Sequence, residues 1–306
     1  MKLLETKEIT KQFDNKKIIE DINIHIDSGE IVSLLGVSGV GKTTLFNIIA
    51  GVITPDEGAV LLNGSNINGN SGQISYMLQK DLLLAHMNIC DNVALPLFVK
   101  GVKKNEARRR AKELLPLFGL DGVEKKYPSQ LSGGMRQRAA FLRTYLFSDE
   151  VALLDEPFSG LDPVNSKILQ DVVTELIEEG RIVIFSSHQM SYVEEFCEDI
   201  AIINNGEIAL SGDIADIKAE YGKNQLIISA VGMGAEELAE KLKTSCADTL
   251  SVTGIHKDGV IVKNIHELSG NALIKEIMNA DIEIASFDSY RPSLNDIFVK
   301  AVGGDR

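Results

Sequence analysis

Cysteine is scarce. Cys90, Cys197 and Cys246 are the only three in 306 residues, and they are scattered without metal-ligand spacing. That excludes a disulfide scaffold or a cysteine metal cluster and suits packing residues in a reducing cytoplasm. Long apolar runs are also missing: no stretch reaches the about 18 residues that a membrane-spanning helix needs. The first residues, Met-Lys-Leu-Leu-Glu-Thr-Lys-Glu, are too charged to be expected as a signal peptide. Positive charge is outnumbered, with 31 Lys and Arg against 44 Asp and Glu and a net charge of −13. A nucleic-acid surface needs clustered cations, so this balance argues against nucleic acid as a partner.

What is present is a chain of 44% hydrophobic residues, comfortable in length for two domains. Residues 3–13 and 18–27 alternate like paired strands. The apolar run 30–35 reads as a buried strand. It leads into Gly36-Val37-Ser38-Gly39-Val40-Gly41-Lys42-Thr43, a full match to the phosphate-loop pattern, and then into Thr44 and an apolar stretch suited to a helix ending at Gly51. Glycines there let backbone N–H groups turn toward phosphate oxygens, and a helix N-terminus adds partial positive charge. Lys42 is expected to reach the β- and γ-phosphates of a nucleotide and the Thr43 hydroxyl to ligate Mg²⁺.

Further strands are expected at 58–64 and 74–79, with a Gly/Asn/Ser loop at 65–72 between them. Residues 88–147 read as mostly helical, and the charged run 103–113 as a solvated helix face. Strand–helix alternation then resumes: strands at 151–155, 182–185 and 200–203, helices at 163–179 and 190–197, and a hairpin at Asn204-Asn205-Gly206. This predicts a mainly parallel sheet with an antiparallel edge. Asp155-Glu156 stands where an apolar strand ends, the position that faces the ligand crevice in such sheets. Asp155 can hold Mg²⁺ there, and Glu156 can act as general base on an attacking water.

Past a boundary near 221–224 the expected order is strand 225–231, helix 235–244, strand 249–256, a turn at Asp258-Gly259, strand 260–265, helix 271–280 and strand 281–287. That β-α-β-β-α-β order suits a ferredoxin-like domain, closed by a short helix at 292–302. It carries no catalytic motif, so a regulatory or packing role is expected.

Six motifs in order make the chain resemble the ATP-binding subunits of ABC transporters across residues 1 to 221: the loop 36–43, Gln79 after a strand, Leu131-Ser132-Gly133-Gly134-Met135, the acidic strand 151–156, Asp162 in a D-loop, and His188. The resemblance implies an α/β fold: a P-loop ATPase domain over 1–221, with a helical subdomain at about 86–147, plus a small α+β accessory domain over 222–306. It implies an ATPase using ATP and Mg²⁺, peripheral on the cytoplasmic face of the membrane. Phe13 resembles the aromatic that stacks on adenine. Gln79 is implied to contact Mg²⁺ or the attacking water, and His188 the γ-phosphate. Leu131 to Met135 is implied to close on ATP held by another subunit, so the partners are a second ATPase subunit in a head-to-tail dimer, a transmembrane permease and, for an importer, a solute-binding protein. Gly160 replaces the commoner alanine of the D-loop.

Residues 75–84 and 137–143 resemble ATPases of nitrate, sulfonate and pyrimidine-precursor importers. Residues 157–165, 186–190, 193–199 and 291–298 resemble drug- or sodium-exporter ATPases. The chain reads as a mosaic whose docking surface is of importer type, with an exporter ATPase as the alternative. DNA-repair and chromosome ATPases share such heads but carry long coiled coils or zinc insertions. Residues 88–130 are too short for these and are broken by Gly101, Pro116 and Gly119.

Overall fold

The computed structural model describes residues 2–147, 150–256 and 259–303. In the first hairpin, β1 (Lys2–Phe13) pairs antiparallel with β2 (Lys16–Asp27). Its turn, Asp14-Asn15, has both residues at positive φ (48° and 62°), the two-residue turn whose twist matches the strands. Leu4, Ile9, Ile19, Ile22 and Ile26 are buried, at a spacing that the hairpin's register shifts make irregular. With β4 (Glu57–Leu62) and β5 (Ser65–Asn66) these strands form a four-stranded sheet in the order β2-β1-β4-β5.

The second sheet holds the strands that are apolar on both faces. β3 (Ile31–Leu35), β7 (Val151–Asp155) and β8 (Ile182–Ser186) are buried at every residue, as parallel strands covered on two sides must be. With β6 (Ser75–Met77), β9 (Asp199–Asn204) and β10 (Glu207–Asp213), the order is β10-β9-β3-β8-β7-β6. All neighbours are parallel except the edge pair β9·β10. The C-terminal ends of β3, β7 and β8 therefore open on one side of the sheet.

Among the described residues six α-helices complete this unit: α1 (Lys42–Ile49), α2 (Ile89–Val99), α3 (Lys104–Leu114), α4 (Gly133–Phe147), α5 (Pro163–Glu178) and α6 (Met190–Phe196). On α3 only Ala107 and Ala111 are buried, and Glu106 pairs with both Arg109 and Arg110, so the charged run is a solvated face. Among the described residues no helix is long and apolar enough to cross a membrane.

Two compact units divide the chain, one running through Asp213 and regaining the chain at Ala301, the other Ile214–Lys300. The second contains α7 (Ile214–Tyr221), β11 (Gln225–Ala230), α8 (Ala235–Ser245), β12 (Leu250–His256), β13 (Gly259–Asn264), α9 (Gly270–Asn279) and β14 (Ile284–Ser289), and most of α10 (Leu294–Gly303). Its antiparallel sheet runs β12-β13-β11-β14, so each helix-linked strand pair is split by a strand between them. Ile228, Leu238, Leu242, Val260, Val262, Leu273 and Ile277 form a core of its own.

Three details differ from the expectation. Ser65 and Asn66 pair with Leu62 and Leu61 instead of staying in a loop. Helix α7 was not anticipated. The last strand starts at Ile284, because Asp281 at φ 55° turns the chain out of α9 first. In the expected turn at Asp258-Gly259, Asp258 lies outside the described residues.

Candidate active site

The first unit concentrates its chemistry where β3 and β7 end. Gly41 caps α1 at φ 115°, and a Cβ there would lie 2.6 Å from Ile19 Cγ2 and 3.0 Å from Ile18 O, so both conformation and space require glycine. The loop arcs around Lys42, whose Nζ donates to the carbonyls of Gly36 (2.5 Å) and Val37 (3.2 Å). An ammonium has three donors, so one N–H remains for an anion beside the α1 N-terminus. Burial lowers the Lys42 pKa, against the pull of Glu156 and Asp155, which favours its charge.

Across the sheet, β7 delivers Asp155 and Glu156, both buried. The Thr43 hydroxyl donates to Asp155 Oδ2 at 3.2 Å. Glu156 has φ 52°, a left-handed conformation that costs an L-residue about 1–2 kcal/mol. Its carboxyl pKa is raised, chiefly by burial, while the charges of His188 and Lys42 oppose the rise. His188 Nε2 lies 3.0 Å from Glu156 Oε1, but among the described residues no donor is aligned for a hydrogen bond to that oxygen. A buried carboxylate oxygen with spare accepting capacity suits a water molecule.

These groups line one cavity of 340 Å³: Phe13, Ile18, Ser38, Gly39, Gly41, Lys42, Thr43, Thr44, Gln79, Asp155, Glu156 and His188. Phe13 is 44% exposed, and Lys11 Nζ stands 5.5 Å from its ring centroid. Val37 and Val40 line a neighbouring cavity with Lys16 and Lys17, and Gly36 faces Lys42 through its carbonyl. Leu131, Ser132, Gly133, Gly134, Met135 and Asp162 are not in this cavity; Ser132, Gly133 and Asp162 are exposed and Leu131 is buried. Asp162 Oδ1 accepts the Asn165 N–H at 3.0 Å and caps α5.

Two residues of this region escaped the sequence reading. Ile18 stands next to the core residue Ile19 in an isoleucine-rich strand, and nothing in its type marks a cavity wall. Ser186 ends an apolar strand, a weak signal on its own, yet it bonds both acidic residues.

The donor set fits Mg²⁺. The Thr43 hydroxyl and the Asp155 carboxylate are hard oxygen ligands in adjacent positions. Among the described residues no group of three or more His, Cys, Asp or Glu could hold a metal ion.

A helix N-terminus, a buried lysine and an acidic strand end around one cavity define a P-loop nucleotide hydrolase. The ABC transporter family profile matches residues 19–159, and a profile for the C-terminal domain of DrrA1-3-like ATP-binding proteins matches 212–302. The uncharacterized ABC transporter ATP-binding protein YhaQ of Bacillus subtilis is 30% identical over 98% of this chain and 99% of its own length. The sulfate/thiosulfate import ATP-binding protein CysA of Mesostigma viride is 34% identical over 92% of this chain and 86% of its own. Among solved structures, an ATP-binding subunit of an ABC transporter superposes with a TM-score of 0.67 at 28% identity, over 72% of this chain and 93% of that one. A dimeric cassette in a post-hydrolysis state with ADP and Pi gives 0.64 at 28%, over 69% and 99%. The chain belongs to the ABC transporter ATP-binding proteins, and it is an ATPase of the cassette fold.

Proposed function

We propose that this chain is one of two ATPase subunits that drive a separate transmembrane permease, with ATP bound in the Gly36-to-Thr43 cavity and completed by residues 131–135 of a second subunit. One observation carries the reading: the loop, both carboxylates and His188 share one cavity, while Ser132 and Gly133 are exposed outside it. Glycines there permit close approach to phosphate, and α4 presents its N-terminus to an anion.

Phe13 offers an aromatic face to adenine. Backbone N–H groups of 36–44 and the free N–H of Lys42 bind the phosphates. The Thr43 hydroxyl and Asp155 carboxylate would hold Mg²⁺, with Gln79 in the lining of the same cavity. Bound there, the ion would supply positive charge against the negative charge developing on the phosphates. Glu156 takes a proton from the water that attacks the γ-phosphorus, and the bond to the ADP oxygen breaks, leaving ADP and phosphate. His188 steadies the γ-phosphate, leaving Glu156 Oε1 free to accept from the attacking water. Asp162 sits at the start of α5, where it caps the helix and faces the second subunit. Residues 222–306 act as an accessory domain, and the subunit works on the cytoplasmic face of the membrane.

An importer-type docking surface is favoured by the cassette, whose relatives include proteins named for sulfate/thiosulfate and methionine import. Export is the second reading, supported by the DrrA1-3-like match over 212–302. Neither reading involves nucleic acid. The test is Glu156→Gln, which keeps shape and removes the base. ATP turnover should fall by about a hundredfold or more with ATP still bound; undiminished turnover would remove Glu156 as base.

A further inference from the structure

Strand β8 is apolar through Phe185 and then places a serine where it leaves the sheet. Ser186 is fully buried and stands in parallel register with Asp155 on β7. Its hydroxyl donates to Asp155 Oδ1 at 2.6 Å and accepts the Glu156 backbone N–H at 3.0 Å. The direction of both bonds is set, because a carboxylate only accepts and an amide N–H only donates. A single hydroxyl thus joins the side chain of the first acidic residue to the main chain of the second.

Each bond restrains something that is otherwise loose. The terminal torsion of an aspartate is broad, so the carboxylate plane needs an external reference. With Oδ1 held by Ser186, Oδ2 is the oxygen that meets Thr43. Glu156 occupies a left-handed conformation that persists only where the surroundings over-determine it. Ser186 fixes its N–H, and Gln137 Nε2, also buried, lies 3.4 Å from its carbonyl.

We propose that Ser186 is a positioning residue for ATP hydrolysis: its buried hydroxyl orients the Asp155 carboxylate toward the metal–nucleotide and sets the Glu156 backbone so that its side chain meets the attacking water. This rests on the roles of Asp155 and Glu156 proposed above. A serine that merely satisfied a strand end would affect stability without a hydroxyl-specific effect on kcat.

The test compares Ser186→Thr with Ser186→Val in the full chain. The two side chains share a shape and differ in the hydroxyl, so their packing costs cancel. The readouts are kcat, KM for ATP, affinity for metal-free ATP, and affinity for Mn²⁺ measured by electron paramagnetic resonance with a non-hydrolysable ATP analogue. Relative to Thr, the Val variant should lose about tenfold to a hundredfold in kcat and in Mn²⁺ affinity, with metal-free ATP binding unchanged. Equal kcat and equal Mn²⁺ affinity in the two would overturn the proposal. Should the β-branched variants not fold, Ser186→Ala adds no volume: the same paired loss supports the proposal, and parent-like values overturn it. Asp155→Asn separates the two levels of failure. If it retains parent Mn²⁺ affinity, the ligand reading falls and this inference with it; if only the Val variant retains it, the Ser186 inference alone falls.

Discussion

Gly41 carries the tightest constraint in the phosphate loop. At φ 115°, with Ile19 Cγ2 and Ile18 O at 2.6 and 3.0 Å from any added Cβ, alanine would displace either the loop or β2. Left-handed backbone alone costs an alanine about 1–2 kcal/mol. Gly41→Ala should therefore lower the thermal midpoint and weaken ATP binding in a titration by at least tenfold; parent-like affinity would show that the loop adapts freely. Residues of this kind were legible in the sequence because their chemistry is local. Gly41, Lys42 and Thr43 are adjacent, and the spacing itself states the need. Ser186 was not legible, because its partners lie on another strand and only the register of β7 with β8 brings them within bonding distance.

At the scale of elements, a two-bond charge pair ties α2 to α3. Asn88 caps α2 by accepting the Asp91 N–H at 2.8 Å, and Asp91 accepts from Arg108 Nε at 2.6 Å and Nη2 at 2.9 Å. The Arg108 bonds hold the Asp91 carboxyl below the usual carboxylate range, against the opposing effect of burial. A lowered carboxyl pKa contributes stability that is present above its unfolded value and lost as pH falls through the folded one. Asp91→Asn should thus lower the thermal midpoint at neutral pH, and the gap to the parent should close as pH drops below about 4. A gap independent of pH would assign the loss to packing. Elements with strong periodicity or full burial, such as β3, β7 and α5, were readable from sequence. The pair at Ser65–Asn66 was not, since two residues show no period. Helix α7 has Ile214 and Ile217 buried at helical spacing, but eight residues without a marked cap carry little signal.

Across the whole molecule, the two units have separate cores, and every residue lining the 340 Å³ cavity comes from the first. The order of motifs made the cassette legible at this scale. The direction of transport was not, because residues 75–84 and 137–143 resemble importer ATPases while 157–165 and 291–298 resemble exporter ATPases. The proposed site is incomplete in one chain: Lys42, Thr43, Glu156 and His188 line the cavity, while Ser132 and Gly133 are exposed outside it. The direct measurement is the solution mass of Glu156→Gln by light scattering with saturating ATP and Mg²⁺, compared with ADP. A site completed by a second copy gives twice the chain mass with ATP and the single-chain mass with ADP. A single-chain mass under both conditions would contradict it.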